Sequence, residues 1–499
     1  MPITTYRLRW AALAVLLTAE AMNLLDATIV QVAGPAIPAP AAAIPWFTAA
    51  YTLPFAAFLI TGGRLGDVFG RAKVFKIGVA GFALASLACA AAPDAGVLIG
   101  ARAAQGAAAA LVIPQTIGLI RALFDGAELA KALGTIGPVM GLSAVTGPLL
   151  GGLLTEAVSW RAAFLVNVPL GLAVLLAARL LREDGVTAGP RVDQAARAGT
   201  GPGGEQAAVR PQVDPIGIAG AASCEDRAVT QPQPDPALAG AKQREVQARP
   251  RIDPIGTALV VAGTALLVYP LLDPTGPDWR LLAAGAVALV AFGFHQRRTP
   301  APLVEPSLFT HRGFPAALAG SLLFFAAMTG LMQVVPMQLQ LGLGADVRTA
   351  GLTLLPLSAG LAVASWFAGA RLVPRFGARV MFGGLALLLL GILAALVVYA
   401  SVPGYPWPLP VALALCGLGM GTFTVPFFTA ALARVRPHET GSAAGLLNAV
   451  QQLGGTLGVA LLGGLYLGSG TATAPLGSGA ALVVAAAAAV IPLSSRRGR

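Results

Sequence analysis

The chain is organised by apolar runs of roughly 17 to 25 residues, the length an α-helix needs to cross the hydrocarbon of a bilayer. They lie near 10–34, 46–62, 75–92, 97–120, 132–155 and 160–181. After a polar interruption they resume near 255–272, 280–294, 314–340, 349–371, 379–400, 407–433, 441–466 and 478–493. No water is available inside a bilayer to bond backbone N–H and C=O groups, so such segments fold as helices that satisfy their own. The expected fold class is an all-α polytopic membrane protein with fourteen transmembrane helices. A balance of 56% hydrophobic against 11% charged residues over 499 positions excludes an ordinary soluble domain.

The run 280–294 is short and crosses only if Arg280 and the cluster from His295 to Arg298 snorkel to the two interfaces. The basic residues argue for keeping it. With the N-terminus in the cytoplasm, 29 of the 33 Lys and Arg fall in cytoplasmic segments; Arg161, Arg280 and Arg348 fall near outer ends, and Arg102 within a helix. Removing one helix of the 255–294 pair would move Arg371, Arg375, Arg379, Arg434 and Arg436 outside, against the positive-inside rule. Both helices stay or both go. Arg7 and Arg9 before an apolar run that contains Ala19, Glu20 and Ala21 imitate a signal peptide, but the run continues past that triplet, so an uncleaved first helix is expected. Both termini are expected in the cytoplasm.

Residues 182–253 are rich in Pro, Gly, Ala and Gln, carry mixed charge and show no periodicity, and they read as a disordered cytoplasmic linker. The expected layout is an N-terminal bundle at 1–181, this linker, an additional helix pair at 254–298 and a C-terminal bundle at 299–499. GTGPGG (Gly199 to Gly204) satisfies GxGxxG, yet no strand precedes it and no helix follows, so no nucleotide site is expected. The net charge of +11 is spread between apolar runs and makes no basic face for nucleic acid. Cys89, Cys224 and Cys416 are far apart, and His295, His311 and His438 fall in loops. No metal site, no cofactor and no enzymatic activity are expected.

One stretch conflicts with a lipid setting. LLDATIVQV (24–32) places a carboxylate, Asp26, inside the first run, where an ionised group costs at least about 2.5 kcal/mol. Glu20, Asn23 and Asp26 recur every three residues and step down one slowly turning helix face. Counting about 1.5 Å per residue, Asp26 lies roughly 6 Å outward of the middle of its run, and Arg102 lies roughly 8 Å deep from the outer side of the fourth. The matched depths make Arg102 the candidate charge partner. A carboxylate that alternates between an apolar surrounding and a guanidinium changes its proton affinity, which would let it load and release a proton. A permanent Asp26–Arg102 pair that fixes helix register is the alternative.

Between the second and third runs stands GRLGDVFGRAKVF, in which Gly63 and Gly70 allow tight turning, Asp67 can accept hydrogen bonds, and Arg71 and Lys73 hold the loop inside. Its spacing resembles the signature loop of the major facilitator superfamily. LLDATIVQVAGPAI (24–37) resembles the first-helix pattern of that superfamily's fourteen-span drug:proton antiporter family, with Gln31 in place of the usual Asn and Gly34 in place of Leu. ARAAQGAAAALVIP (101–114) carries the R-x-x-Q-G core of the fourth-helix motif in Arg102, Gln105 and Gly106. GPVMGLSAVTGPLLGG (137–152) resembles the fifth-helix antiporter motif, and WRAAFLVNVPLG (160–171) the start of the sixth. In the fifth, Gly137 with Gly141 and Gly147 with Gly151 let another backbone approach, while Pro138 and Pro148 remove donors and permit bending. The second half matches less well: ARLVPRFGAR (370–379) keeps Gly377 but has Pro374 where the Asp would lie.

The resemblance implies a major facilitator fold, two six-helix bundles plus two additional helices, working by alternating access around a central cavity. It implies a proton-coupled antiporter that exports an amphipathic drug, antibiotic or related metabolite across the bacterial cytoplasmic membrane, and a functional monomer in the lipid bilayer with protons and a small molecule as its partners. Asp26 would be the coupling carboxylate and Arg102 its partner. Glu20 is open to three readings: a second titrating group, a contact for cationic substrates, or a residue near the inner cavity mouth. Gln333, Gln338, Asn448, Gln451 and Gln452 are candidates to line the cavity or to bond across helices. Two other functions stay open, a proton-coupled importer of a small metabolite and a non-transporting membrane scaffold or sensor.

Overall fold

The computed structural model describes residues 3–180, 253–272, 278–299, 302–310, 313–402, 404–433, 435–436 and 439–494, which are helical almost throughout. The expected linker lies outside the described residues apart from Asp253, as do His311 and His438. A first group comprises α1 (Ile3–Ala33), α2 (Ile44–Phe69), α3 (Arg71–Ala91), α4 (Ala95–Leu123), α5 (Gly126–Gly134), α6 (Ile136–Ala157), α7 (Trp160–Leu165) and α8 (Asn167–Ala177). A pair follows, α9 (Pro254–Val268) and α10 (Trp279–Arg298). The last group is α11 (Gly313–Met337), α12 (Val347–Phe367), α13 (Val380–Ser401), α14 (Leu409–Leu432), α15 (Thr440–Ser469) and α16 (Thr473–Ala489).

Polar residues mark where helices begin. Asp94 accepts from the Val97 amide at 2.9 Å to start α4, Asp278 from Arg280 at 2.9 Å to start α10, and Asp346 from Thr349 at 3.0 Å to start α12. Prolines break two of the expected spans. α5 ends at Gly134 because Pro138 has no N–H for the Gly134 carbonyl, and α6 begins at Ile136. Pro138 therefore stands in a first helical turn, where a missing N–H costs little, and does not bend a helix interior as expected; Pro148 does lie inside α6. Pro169 likewise has no N–H for the Leu165 carbonyl, and α7 ends there.

Twelve helical runs among the described residues are long and apolar enough to cross a membrane, against the fourteen expected. Two features account for the difference. α10 carries Arg280, His295, Arg297 and Arg298, which lower its hydropathy. The expected spans 349–371 and 379–400 form one helical run, Val347–Ser401, of 55 residues. That run is not straight. Gly417 and Gly421 of α14 meet Leu357 and Leu361 of α12 in the same direction, whereas Gly384 and Gly391 of α13 meet Phe423 and Cys416 in the opposite one. The chain reverses through the turns between Ala368 and Arg379, where Gly377 takes φ +61°.

Beside three small clusters, two large apolar cores form among the described residues. One joins α1 to α4 with α8 through Leu16, Met22, Phe75, Phe82 and Ile120. The other is built on α11 to α16 around Phe324, Leu354, Phe423 and Phe427, and it also takes in Val30, Val32, Ile44 and Phe47 of α1 and α2. These four residues lie toward the far end, the end that α1 runs to from residue 3. Hydrogen bonds close the same end: Gln340 donates to the Val32 carbonyl at 2.9 Å, Thr48 to Gln333 at 3.0 Å and Thr456 to Thr52 at 2.7 Å. Gln333 and Gln338 are buried there, while Asn448, Gln451 and Gln452 are half-buried on α15.

Candidate functional site

Asp26 sits in a cage with no exposed surface. Its Oδ2 accepts from Arg102 at 2.5 Å, and its Oδ1 accepts from Gln105 at 2.8 Å and from Asn167 at 2.7 Å. The expected pair is therefore formed, with two neutral donors added. Arg102 is held from several sides: its Nε donates to the Phe47 carbonyl at 2.9 Å, its Nη1 also to Gln105 Oε1 at 2.6 Å, and its guanidinium carbon lies 4.4 Å from the centre of the Tyr51 ring. Its Nη2 has no hydrogen-bond partner among the described residues. The ring face supplies an attraction of about 0.5–2 kcal/mol in its place.

Gln105 organises the cage. One amide N–H goes to Asp26 and the other to Ser86 at 2.8 Å, while its oxygen accepts from Arg102 and from the Cys89 thiol at 3.7 Å. Ionised groups persist in an apolar core only when partnered in this way. Asn23, one turn from Asp26, accepts from the Tyr51 hydroxyl.

The glycines of the motifs bring these side chains together. A Cβ at Gly106 would collide with the Tyr51 carbonyl, so its absence lets α4 lie against α2 with Arg102 and Gln105 beside α1. Gly147 lies against Thr28, and a Cβ at Gly151 would come within 3.0 Å of the Ile29 carbonyl, so these glycines seat α6 on α1; Gly141 faces Ala362 of α12. Gly137 shares the first turn of α6 with Pro138.

The signature loop forms elsewhere, at the near end. Gly70 ends α2 with φ +95°, a conformation that favours glycine, and Arg71 donates to Asp67 at 2.8 Å while its guanidinium lies against Gly118 of α4. Gly63 faces Pro114 of α4, and Lys73 is exposed. Glu20 is not part of the cage; it is half-buried beside Thr116 of α4, and no ion pair to it is found among the described residues. The sequence reading missed Tyr51, Ser86 and Asn167. Asn167 had a visible signal, an amide inside an apolar run, whereas Ser86 and Tyr51 had none.

The sequence profile of the Major Facilitator Superfamily matches residues 10–459. The chain is 37% identical to the probable actinorhodin transporter of Streptomyces coelicolor over 496 residues, covering 95% of this chain and 76% of that one. It is 34% identical to the puromycin resistance protein pur8 of Streptomyces alboniger, covering 92% and 82%, and 31% identical to the cephamycin export protein CmcT of Amycolatopsis lactamdurans, covering 93% and 86%. Among solved structures it resembles an auto-inhibited POT family peptide transporter with a TM-score of 0.65 at 15% identity, covering 98% of this chain and 97% of that one, a likeness of fold alone.

Proposed function

Since the chain belongs to the Major Facilitator Superfamily, we propose that it is a proton-coupled antiporter that exports an amphipathic antibiotic or drug-like compound across a bacterial plasma membrane. Relatives named for antibiotic transport, resistance and export support the direction and the substrate class. The observation that carries the coupling is the fully buried Asp26 with three N–H donors on its two oxygens. A proton on Asp26 cancels the charge that holds Arg102. The guanidinium keeps the Phe47 carbonyl, Gln105 and the Tyr51 ring, so it is not stranded in the core.

The Phe47 carbonyl belongs to the peptide that leads into Thr48, whose hydroxyl holds Gln333 across the far end. Loss of charge at Asp26 thus reaches the far-end seal through one peptide unit. A proton bound while the far end is open is carried in as that end closes and is released to the inside, and substrate leaves by the reverse switch, which gives alternating access. Glu20, half-buried on the same helix nearer the cytoplasm, is the second candidate group.

This reading includes fourteen crossings. α12 and α13 are antiparallel, and α10, about 30 Å long, lies antiparallel on α9, with Gly263 at Leu289 and Gly285 at Leu267. It also includes cytoplasmic termini, a four-part layout and a functional monomer.

The test uses inverted membrane vesicles loaded with an acid interior and given puromycin and amphipathic dyes. The wild type accumulates at least one of them, and Asp26→Asn inserts normally but accumulates none. Acid-driven accumulation by Asp26→Asn at the wild-type rate would remove the reading.

A further inference from the structure

A second buried carboxylate lies outside the cage. Asp253, 5% exposed, accepts from the Gly256 amide at 2.8 Å to start α9, and from His295 Nε2 and Gln296 Nε2 at the end of α10, both at 2.9 Å. Burial pushes its carboxyl up, but the Gly256 amide, His295 and Gln296 outweigh this and hold it below the ordinary carboxylate range. Gln296 in turn accepts from the Leu303 amide at 2.6 Å and the Val304 amide at 3.2 Å. Asp253 therefore fixes the strap of residues 302–310 that leads into α11.

The strap has two further attachments. The Pro302 carbonyl accepts from Arg64 on α2, in the signature loop, and Ser307 donates to Glu439 at the start of α15 at 2.8 Å. Thr61 of α2 and Thr257 of α9 share a hydrogen bond of 3.0 Å beside them. The strap is thus pinned at one end to the first group and at the other to the last group, both at the near end.

We infer that Asp253 is a positioning residue: through Gln296 it holds the strap as a stay between α2 and α15, and the stay favours the conformation whose far end is closed. When the near end closes, α2 and α15 approach each other and the contacts of Arg64 and Glu439 to the strap must be remade. A loosened stay shifts the protein toward the opposite state. The inference rests on the alternating-access reading but needs neither a proton nor a substrate for its test.

Hydrogen exchange by mass spectrometry on the full chain in lipid nanodiscs reads the strap directly. Two variants are compared, Asp253→Ala, and Gln296→Met, which frees the strap while leaving the cap and His295 in place. In both, exchange at Leu303 and Val304 rises at least about tenfold. Spin labels at Ala41→Cys and Leu341→Cys in a Cys224→Ser background show a larger population of long far-end distances than the parent. Should Asp253→Ala fail to fold, Gln296→Met carries the test alone. Unchanged exchange at the strap, or a loosened strap with the same far-end distances, overturns the inference. Because neither readout involves Asp26, failure here is distinct from failure of the coupling reading.

Discussion

The two groups of helices share one packing skeleton and differ in what it encloses. In the first, Gly106 of α4 meets the Tyr51 carbonyl of α2, and Gly78 of α3 meets Val112 of α4; in the last, Gly417 of α14 meets the Leu357 carbonyl of α12, and Gly384 of α13 meets Phe423 of α14. Gly106 and Val112 stand six positions apart, as do Gly417 and Phe423. In that register Arg102 corresponds to Leu413, Gln105 to Cys416, Ser86 to Ile392 and Tyr51 to Leu357, and all four counterparts are buried. Instead of a cage, the last group packs Phe324 against Phe423, ring centres 4.1 Å apart, and stacks Phe423 on Phe427 at 4.9 Å. One scaffold holds a charged cage in one copy and uncharged residues at the matching positions in the other, so the scaffold does not require the charge.

Substitutions can break this comparison, beginning with the harshest. Leu413→Arg places a guanidinium in the core without an acid partner, at a cost of about 3–5 kcal/mol or more, and should leave no monodisperse protein by fluorescence-detected size exclusion. Recovery of folded Leu413→Arg would mean that the second core is less apolar than described. Arg102→Leu strands Asp26 and should lower stability by about 3–5 kcal/mol in thermal unfolding, while Asp26→Leu with Arg102→Leu regains part of it. Additive losses would deny that the two act as a pair. Gly106→Ala and Gly417→Ala should each cost about 1–3 kcal/mol, and a value near zero for either would dissolve the shared register. Cys416→Ala should change stability by about 1 kcal/mol and leave transport untouched, in contrast to Gln105→Ala.

Much of this was legible in the sequence. Apolar runs located the helices because lipid permits few other backbone arrangements, and Asp26 and Arg102 stood out because charges inside such runs are rare. Their pairing followed from depth alone. The neutral members of the cage were harder to see: Ser86 resembles the many hydroxyls that bond their own helix, as Thr116 does to Val112, and Tyr51 resembles any aromatic. The helix breaks at Thr135 and Val166 were signalled by Pro138 and Pro169, three positions on, but an apolar run hides a proline. The crossing count differed because hydropathy and continuity measure different things: the polar ends of α10 lower its hydropathy, and the 55-residue run is continuous in helix but not in direction. The strap gave no sign in the sequence, since its attachments are mostly backbone groups.

On the proposed coupling, a sodium ion could not stand in for the proton. A hard metal cation needs a shell of oxygen ligands, whereas both Asp26 oxygens are occupied by the N–H groups of Arg102, Gln105 and Asn167, all of which would have to turn away. A proton needs one lone pair. On that reading export follows the proton-motive force and is indifferent to the sodium gradient.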